Sequence, residues 1–277
     1  MFYTCVVISK STRLFIILGG FFVANALIAE FIGVKIFSLE RTFGWAPASI
    51  NLFGQTGLGF NLTAGVLLWP VVFVMTDVIN EYFGRRGVRL LSFLAVGLIC
   101  YAFVMFFAGI RLVPADFWPT SHLLPSMTPA ETEALRQEVG NYNTAFRLVF
   151  SQGLWIIVGS LVAFLVGQFV DVFVFHRIKR VTGERKVWLR ATGSTLISQF
   201  IDSYIVLTIA FYIGADWDLG LVLAIGTVNY IYKFVMAVLL TPVIYAAHFV
   251  IDRYLGPDLA RQLKAQAAGH NVNDTLI

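Results

Sequence analysis

The apolar run from Asn61 to Val74 is followed by Met75-Thr76-Asp77-Val78-Ile79-Asn80-Glu81-Tyr82-Phe83-Gly84-Arg85-Arg86. A carboxylate is thereby carried into hydrocarbon on a helix, and insertion scales oppose an ionised side chain near the bilayer centre by roughly 2.5–3.5 kcal/mol. Such residues usually face a bundle interior or a water-filled path. Asp77, Asn80 and Glu81 stand at i, i+3 and i+4, which puts them on one stripe that can line a cavity. Two roles are open to Asp77: it lines such a cavity, or it pairs with a basic group to hold two helices together. Gly84 is expected to end the helix, with Arg85 and Arg86 holding that end at the cytoplasmic surface. Pro70 is expected to bend the segment about two turns before Asp77.

The rest of the chain agrees with a membrane reading. It has 277 residues, 58% hydrophobic and only 13% charged, with a mean hydropathy of +0.79, which no ordinary soluble domain shows. Apolar spans fall at about 13–37, 62–83, 88–110, 147–175, 191–214 and 220–250. This predicts an all-α integral membrane protein with six transmembrane helices in one domain, 1–277. The apolar run of the first thirty residues continues too far for a cleaved signal and is read as the first span.

Fourteen of the twenty basic residues fall on one side of that arrangement: Lys10, Arg13, Arg85, Arg86, Arg89, Arg177, Lys179, Arg180, Arg185, Lys186, Arg190, Arg253, Arg261 and Lys264. The net charge of +4 therefore reflects topology rather than nucleic-acid binding, and both termini are expected in the cytoplasm. The longer connections, 38–61 and 111–146, lie on the other side. The second contains Thr128, Pro129 and Glu131 in capping-box spacing, which predicts a short surface helix. The tail from Gly256 reads as polar and frayed.

Extramembrane chemistry is missing from the sequence. It has no glycine loop with a lysine for phosphates and no Ser–His pair placed for acyl transfer. Cys5 and Cys100 form neither a disulfide framework nor a metal site, and His122, His176, His248 and His270 are scattered and read as loop or interfacial residues. Neither an enzyme nor a metal or cofactor is expected.

The polar residues lie instead within the spans. The first carries Asn25, Glu30 and Lys35, of which Lys35 can snorkel. Leu165-Val166-Gly167-Gln168-Phe169-Val170-Asp171 recurs as Leu196-Ile197-Ser198-Gln199-Phe200-Ile201-Asp202. Each copy puts an amide and a carboxylate on one helical face. The copies run antiparallel on a hairpin, so Gln168 and Gln199 fall near one depth and can form a polar ring or bind the helices together. Gln152 and Ser198 add hydrogen-bonding capacity, and Gly159 and Gly167 allow close packing. Asn229 and Lys233 share a face of the last span, where Lys233 needs an acid or a ligand acceptor as partner. Asp77, Asp171 and Asp202 are the acids available, and the protonation of Lys233 and of these acids can respond to each other. Thr241-Pro242 predicts a kink.

These residues resemble the queuosine precursor transporters, also called the vitamin uptake transporter family. The likeness rests on Ala24-Asn25 with Lys35, on Pro70 and Thr76 to Glu81 with Gly84, and on Gln168 to Asp171 followed by His176-Arg177. It continues through Trp188-Leu189-Arg190, Ser194-Thr195 and Ser198 to Asp202, to Lys233 and Thr241-Pro242. The resemblance implies an inner-membrane importer of 7-deazaguanine precursors used in tRNA modification. The longer segments 38–61 and 111–146 depart from compact members.

A guanine-like edge offers donors to a carboxylate and an oxygen to an amide or ammonium. The candidate binding residues are accordingly Asn25, Asp77, Asn80, Glu81, Gln168, Asp171, Gln199, Asp202, Asn229 and Lys233, with Phe169, Phe200, Tyr204 and Tyr230 for stacking. Six helices suggest two inverted three-helix halves. A homodimer is plausible at this size. Two other classes are weighed: a membrane substrate-binding subunit of an ATP-driven vitamin importer, and an intramembrane aspartyl enzyme, whose glycine-flanked Asp is missing.

Overall fold

The computed structural model describes residues 9–151, 153–182 and 187–268, with side chains left out at 154, 187 and 188. Of the residues singled out above, Cys5, Gln152, Arg185, Lys186, His270, the side chain of Trp188 and the tail beyond 268 lie outside these. Helix α1 (Lys10–Ile32) starts on Ser9, whose hydroxyl accepts from the Thr12 amide, and ends at Gly33. The next segment runs as β1 (Ile36–Ser38), α2 (Leu39–Thr42), β2 (Ile50–Leu52), β3 (Gln55–Leu58) and β4 (Asn61–Thr63). β1 pairs antiparallel with β4, and β2 with β3. The first span thus stops short of residue 37, and the second starts after 62, because both boundaries are drawn into strand pairing. Glu40 knots this segment. Burial raises its pKa, but the Phe60 and Ala48 amides and the Ser38 hydroxyl more than offset that and leave it below the usual carboxylate range.

Helix α3 runs Trp69–Arg111, 43 residues with a non-helical Gly84 (φ 64°, ψ −169°) inside. A straight helix of that length would span about 65 Å, twice a bilayer core. It folds back instead. A β-carbon on Gly87 would lie 3.5 Å from Ile79 Cγ2, although residues eight apart in one helix are about 12 Å apart. Phe22, Val23 and Ala26 of α1 pack on both arms at once, against Val72, Met75 and Ile79 of 69–83 and Val88, Leu91 and Ala95 of 85–111. Pro70 sits in the first turn of α3, where no hydrogen bond is lost, so the expected bend before Asp77 does not form.

The backbone angles of Gly84 belong to a region only glycine enters readily, and an added β-carbon would meet the Ala267 carbonyl at 3.1 Å. Gly84→Ala is expected to lower stability by about 1–3 kcal/mol, read as a lower unfolding midpoint in mild detergent. An unchanged midpoint would mean that the fold-back tolerates a β-carbon.

Beyond α3, α4 (Pro129–Glu138) opens with the expected capping box between Thr128 and Glu131, and α5 (Tyr142–Phe150) follows. The fourth predicted span, 147–175, is displaced: α6 runs Leu154–Thr182. α7 (Val187–Leu207) continues in a π-helical turn, Thr208–Ile213. α6 and α7 pack antiparallel, since Gly167 faces Asp202 while Asp171 meets Ser198 and Thr195. Gly159 permits a close approach, its β-carbon position lying 3.1 Å from the Val206 carbonyl. The last predicted span, 220–250, is two helices, α8 (Leu219–Leu239) and α9 (Thr241–Leu255), with Pro242 in the first turn of α9. The tail is not frayed as far as it is described. α10 (Pro257–Ala267) docks across the Gly84 bend, and its Ala260 shares a core with Leu14, Val78 and Tyr82.

Five helical stretches among the described residues are long and apolar enough to cross a membrane, the folded α3 being one. Large apolar side chains such as Ile16, Phe21, Phe93, Val104, Phe173 and Val235 point outward, while the carboxylates and amides point in. That inversion suits a hydrocarbon solvent. Basic residues gather at one end: Lys10 reaches the Tyr254 carbonyl, Lys264 meets Asp252, and Lys179 and Arg190 meet Glu81.

Candidate functional site

Polar side chains from the 69–83 arm, α6, α7 and α8 stack into a buried column. On α7 it runs from Arg190 to Asp202, about 18 Å along the helix axis. Its basic end is an ion triad. Glu81, 1% exposed, accepts from Arg190 Nη2 at 2.7 Å and Lys179 Nζ at 3.1 Å. Arg190 also lies over the Phe175 ring. Beside the triad, His176 Nε2 is 2.9 Å from Asn80 Oδ1. A second layer outside covers it, where Tyr82 donates to Asp252 at 2.7 Å and faces His248 Nδ1 at 3.1 Å.

One turn inward, Asp77 accepts from Thr195 at 3.1 Å and Ser194 at 3.4 Å, and Asp171 accepts from Ser198 at 3.2 Å. Next come the two glutamines. Thr76 donates to Gln168 Oε1 at 2.9 Å, but among the described residues Gln168 Nε2 has no partner, and neither atom of the Gln199 amide has one. Both side chains are 1% exposed. The α6–α7 register sets Gln168 opposite residue 201, two positions from Gln199, so the two amides lie within about 3 Å in depth as expected. The far end is closed by Lys233, whose Nζ donates to Asp202 Oδ2 at 2.6 Å.

The column therefore holds Asp77, Asn80, Glu81, Gln168, Asp171, Gln199, Asp202 and Lys233. Asn25 and Asn229 instead turn their amide N–H onto Phe21 and Ile225, one turn back on their own helices. Phe169 and Phe200, drawn for stacking, are 44% and 47% exposed; Phe169 lines a crevice beside Gln168, and Phe200 packs on the Tyr204 and Tyr230 rings. Helix α1 contributes Glu30, which accepts from Ser160 of α6. His176 and His248, read as loop or interfacial residues, are bonded within the bundle. Lys179 and Arg190 were legible only as surface anchors. The clue to their burial was Glu81, a carboxylate one turn below Asp77 that needed cations. A crevice of about 110 Å³ reaches Gln168 from Arg85, Arg89 and Ser92, while a depression of about 620 Å³ among residues 36–61 lies away from the column, which is closed in this conformation.

An apolar exterior around a column of charged and amide groups, with donors and acceptors left open midway, marks a multi-pass membrane protein. Residues 63–247 match the family described as "Putative vitamin uptake transporter". The chain belongs to this family of vitamin uptake transporters. It is 30% identical over 205 residues, 73% of its length and 76% of the relative's, to a "Probable queuosine precursor transporter" of Bacillus subtilis. A protein of the same name from Haemophilus influenzae is 24% identical over 76% of this chain and 80% of its own. The "Queuosine precursor transporter" of Escherichia coli is 26% identical over 58% of each chain. No solved structure matches.

Proposed function

We propose that this protein imports queuosine precursors, 7-deazaguanines such as 7-cyano-7-deazaguanine, across the inner membrane into the cytoplasm. The observation that carries the reading is the open set of buried groups between the ion pairs: Gln168 Nε2, Asp171 Oδ2 and both atoms of the Gln199 amide. A buried polar atom without a partner costs about 1–3 kcal/mol, a cost that a ligand removes by supplying the missing bonds. A guanine-like heterocycle presents adjacent N–H groups for a carboxylate oxygen and a carbonyl for an amide N–H. Asn25, Asn80, Asn229 and Tyr204, on the same or neighbouring helices, are the further candidate contacts. Glu81 and Asp202 with their cations close its two ends.

In this reading the two arms of α3 cross separately. They form one three-helix half with α1, and α6, α7 and α8 form the inverted other half. The gathered basic residues support a cytoplasmic position for that end and for both termini.

Labelled 7-cyano-7-deazaguanine should enter cells that lack their own importer but carry this protein, with free queuine competing and a vitamin panel failing to compete. Preference for an unrelated vitamin would contradict the substrate assignment. Within the site, Gln168→Ala and Gln199→Ala are each expected to weaken apparent affinity about tenfold or more, the worth of one or two hydrogen bonds. Stability should hold in Gln199→Ala, because an unpartnered amide is removed. Unchanged affinity in both would take the glutamines out of the site.

A further inference from the structure

Asp77 and Asp171 are the two carboxyl groups of the column that meet no cation. Among the described residues, Lys179 and Arg190 go to Glu81, Lys233 goes to Asp202, and His176 goes to Asn80. The pair is 1% and 0% exposed. Three hydroxyl groups serve it. Thr195 Oγ1 lies 3.1 Å from Asp77 Oδ2 and 3.5 Å from Asp171 Oδ1. Ser194 is shared between Asp77 and the Ala191 carbonyl, and Ser198 between Asp171 and the Thr195 carbonyl. Three hydroxyl hydrogens thus face six accepting contacts. Thr195 can give its hydrogen to only one of the two acids.

A second observation points the same way. Among the described residues Asp171 Oδ2 has no partner, and Gln168 Nε2, on an amide anchored to Thr76 and one turn from Asp171, is equally open. Two ionised carboxylates sharing one hydroxyl in a low-dielectric interior repel each other, and a proton on one of them both removes the repulsion and supplies a missing hydrogen.

We propose that Asp77 and Asp171 form a proton-binding site, one proton being held between them through Thr195 while the column is closed. The charged or titratable groups around it are Glu81 on its own arm, His176 and Lys179 on α6, Arg190 and Asp202 on α7, Lys233 on α8 and His248 on α9, each already engaged. Its consequence for flux rests on the transporter reading: the column passes through the closed state only with the pair protonated.

Infrared spectroscopy of the purified protein in lipid tests the site without any transport. The carbonyl band of an un-ionised carboxylic acid should be present, vanish as pH rises, and be lost in Asp77→Asn or Asp171→Asn. Thr195→Val, which keeps both acids and removes the bridge, should shift the pH at which the band vanishes. No such band in the wild-type protein, or a band that survives in both Asn variants, overturns the proposal. In liposomes at equal pH on both sides, wild-type flux should fall about tenfold per pH unit once the pair ionises, the slope of one required proton. Flux that is flat in pH, or that needs sodium instead, also overturns it. A protein that moves none of the precursors would sink the transporter reading and leave the infrared result to judge the pair.

Discussion

Glu81→Ala is expected to cost about 3–5 kcal/mol of stability, the usual penalty for removing one partner from a buried ion pair. Glu81 is 1% exposed and is the carboxylate that joins Lys179 of α6 and Arg190 of α7 to the first arm of α3. Its removal takes a buried charged acceptor from both cations at once. Glu81→Gln, which keeps an acceptor but no charge, should recover part of the loss. The measurement is the unfolding midpoint in mild detergent, with a loss under about 1 kcal/mol contradicting the account, because only exposed pairs are that weak.

Asp202→Ala and Lys233→Met are the second pair of large effects. The two groups meet at 2.6 Å with side chains 17% and 7% exposed, so each single substitution strands a charge inside the bundle and should cost about 3 kcal/mol, the low end for buried pairs. The double variant leaves no stranded charge and should return close to wild-type stability. Uptake separates function from scaffold. If the pair closes the site, all three variants lose it. Restored uptake in the double variant would make Asp202–Lys233 a structural clip.

Much of this was legible because membrane cost forces it into the sequence. Asp77, Asp171, Asp202 and Lys233 stand out in apolar runs, and the Gln168–Asp171 and Gln199–Asp202 repeat fixes which faces of α6 and α7 turn inward. The capping box at Thr128 likewise gave its helix directly. Hydropathy could not show that β1 and β4 pair, because Ile36-Phe37 and Leu62 are as apolar as the spans they adjoin. Nor could it show which cations are buried. Lys179 and Arg190 lie among other basic residues next to a helix end, and only the packing of the 69–83 arm against α6 and α7 brings Glu81 to them. Pro70 misled because a proline marks a bend inside a helix but a start in its first turn, and the sequence alone did not fix where α3 begins. The Phe of each repeat follows the Gln directly, which on a helix turns it about 100° away, onto the apolar exterior.

The most direct test of the central claim is uptake of labelled 7-cyano-7-deazaguanine into liposomes that contain this protein and no other. The account predicts saturable uptake without ATP or a partner subunit, abolished in Asp77→Ala and Asp171→Ala. No uptake by a folded, correctly inserted protein, with uptake restored only by an added ATPase, would contradict it.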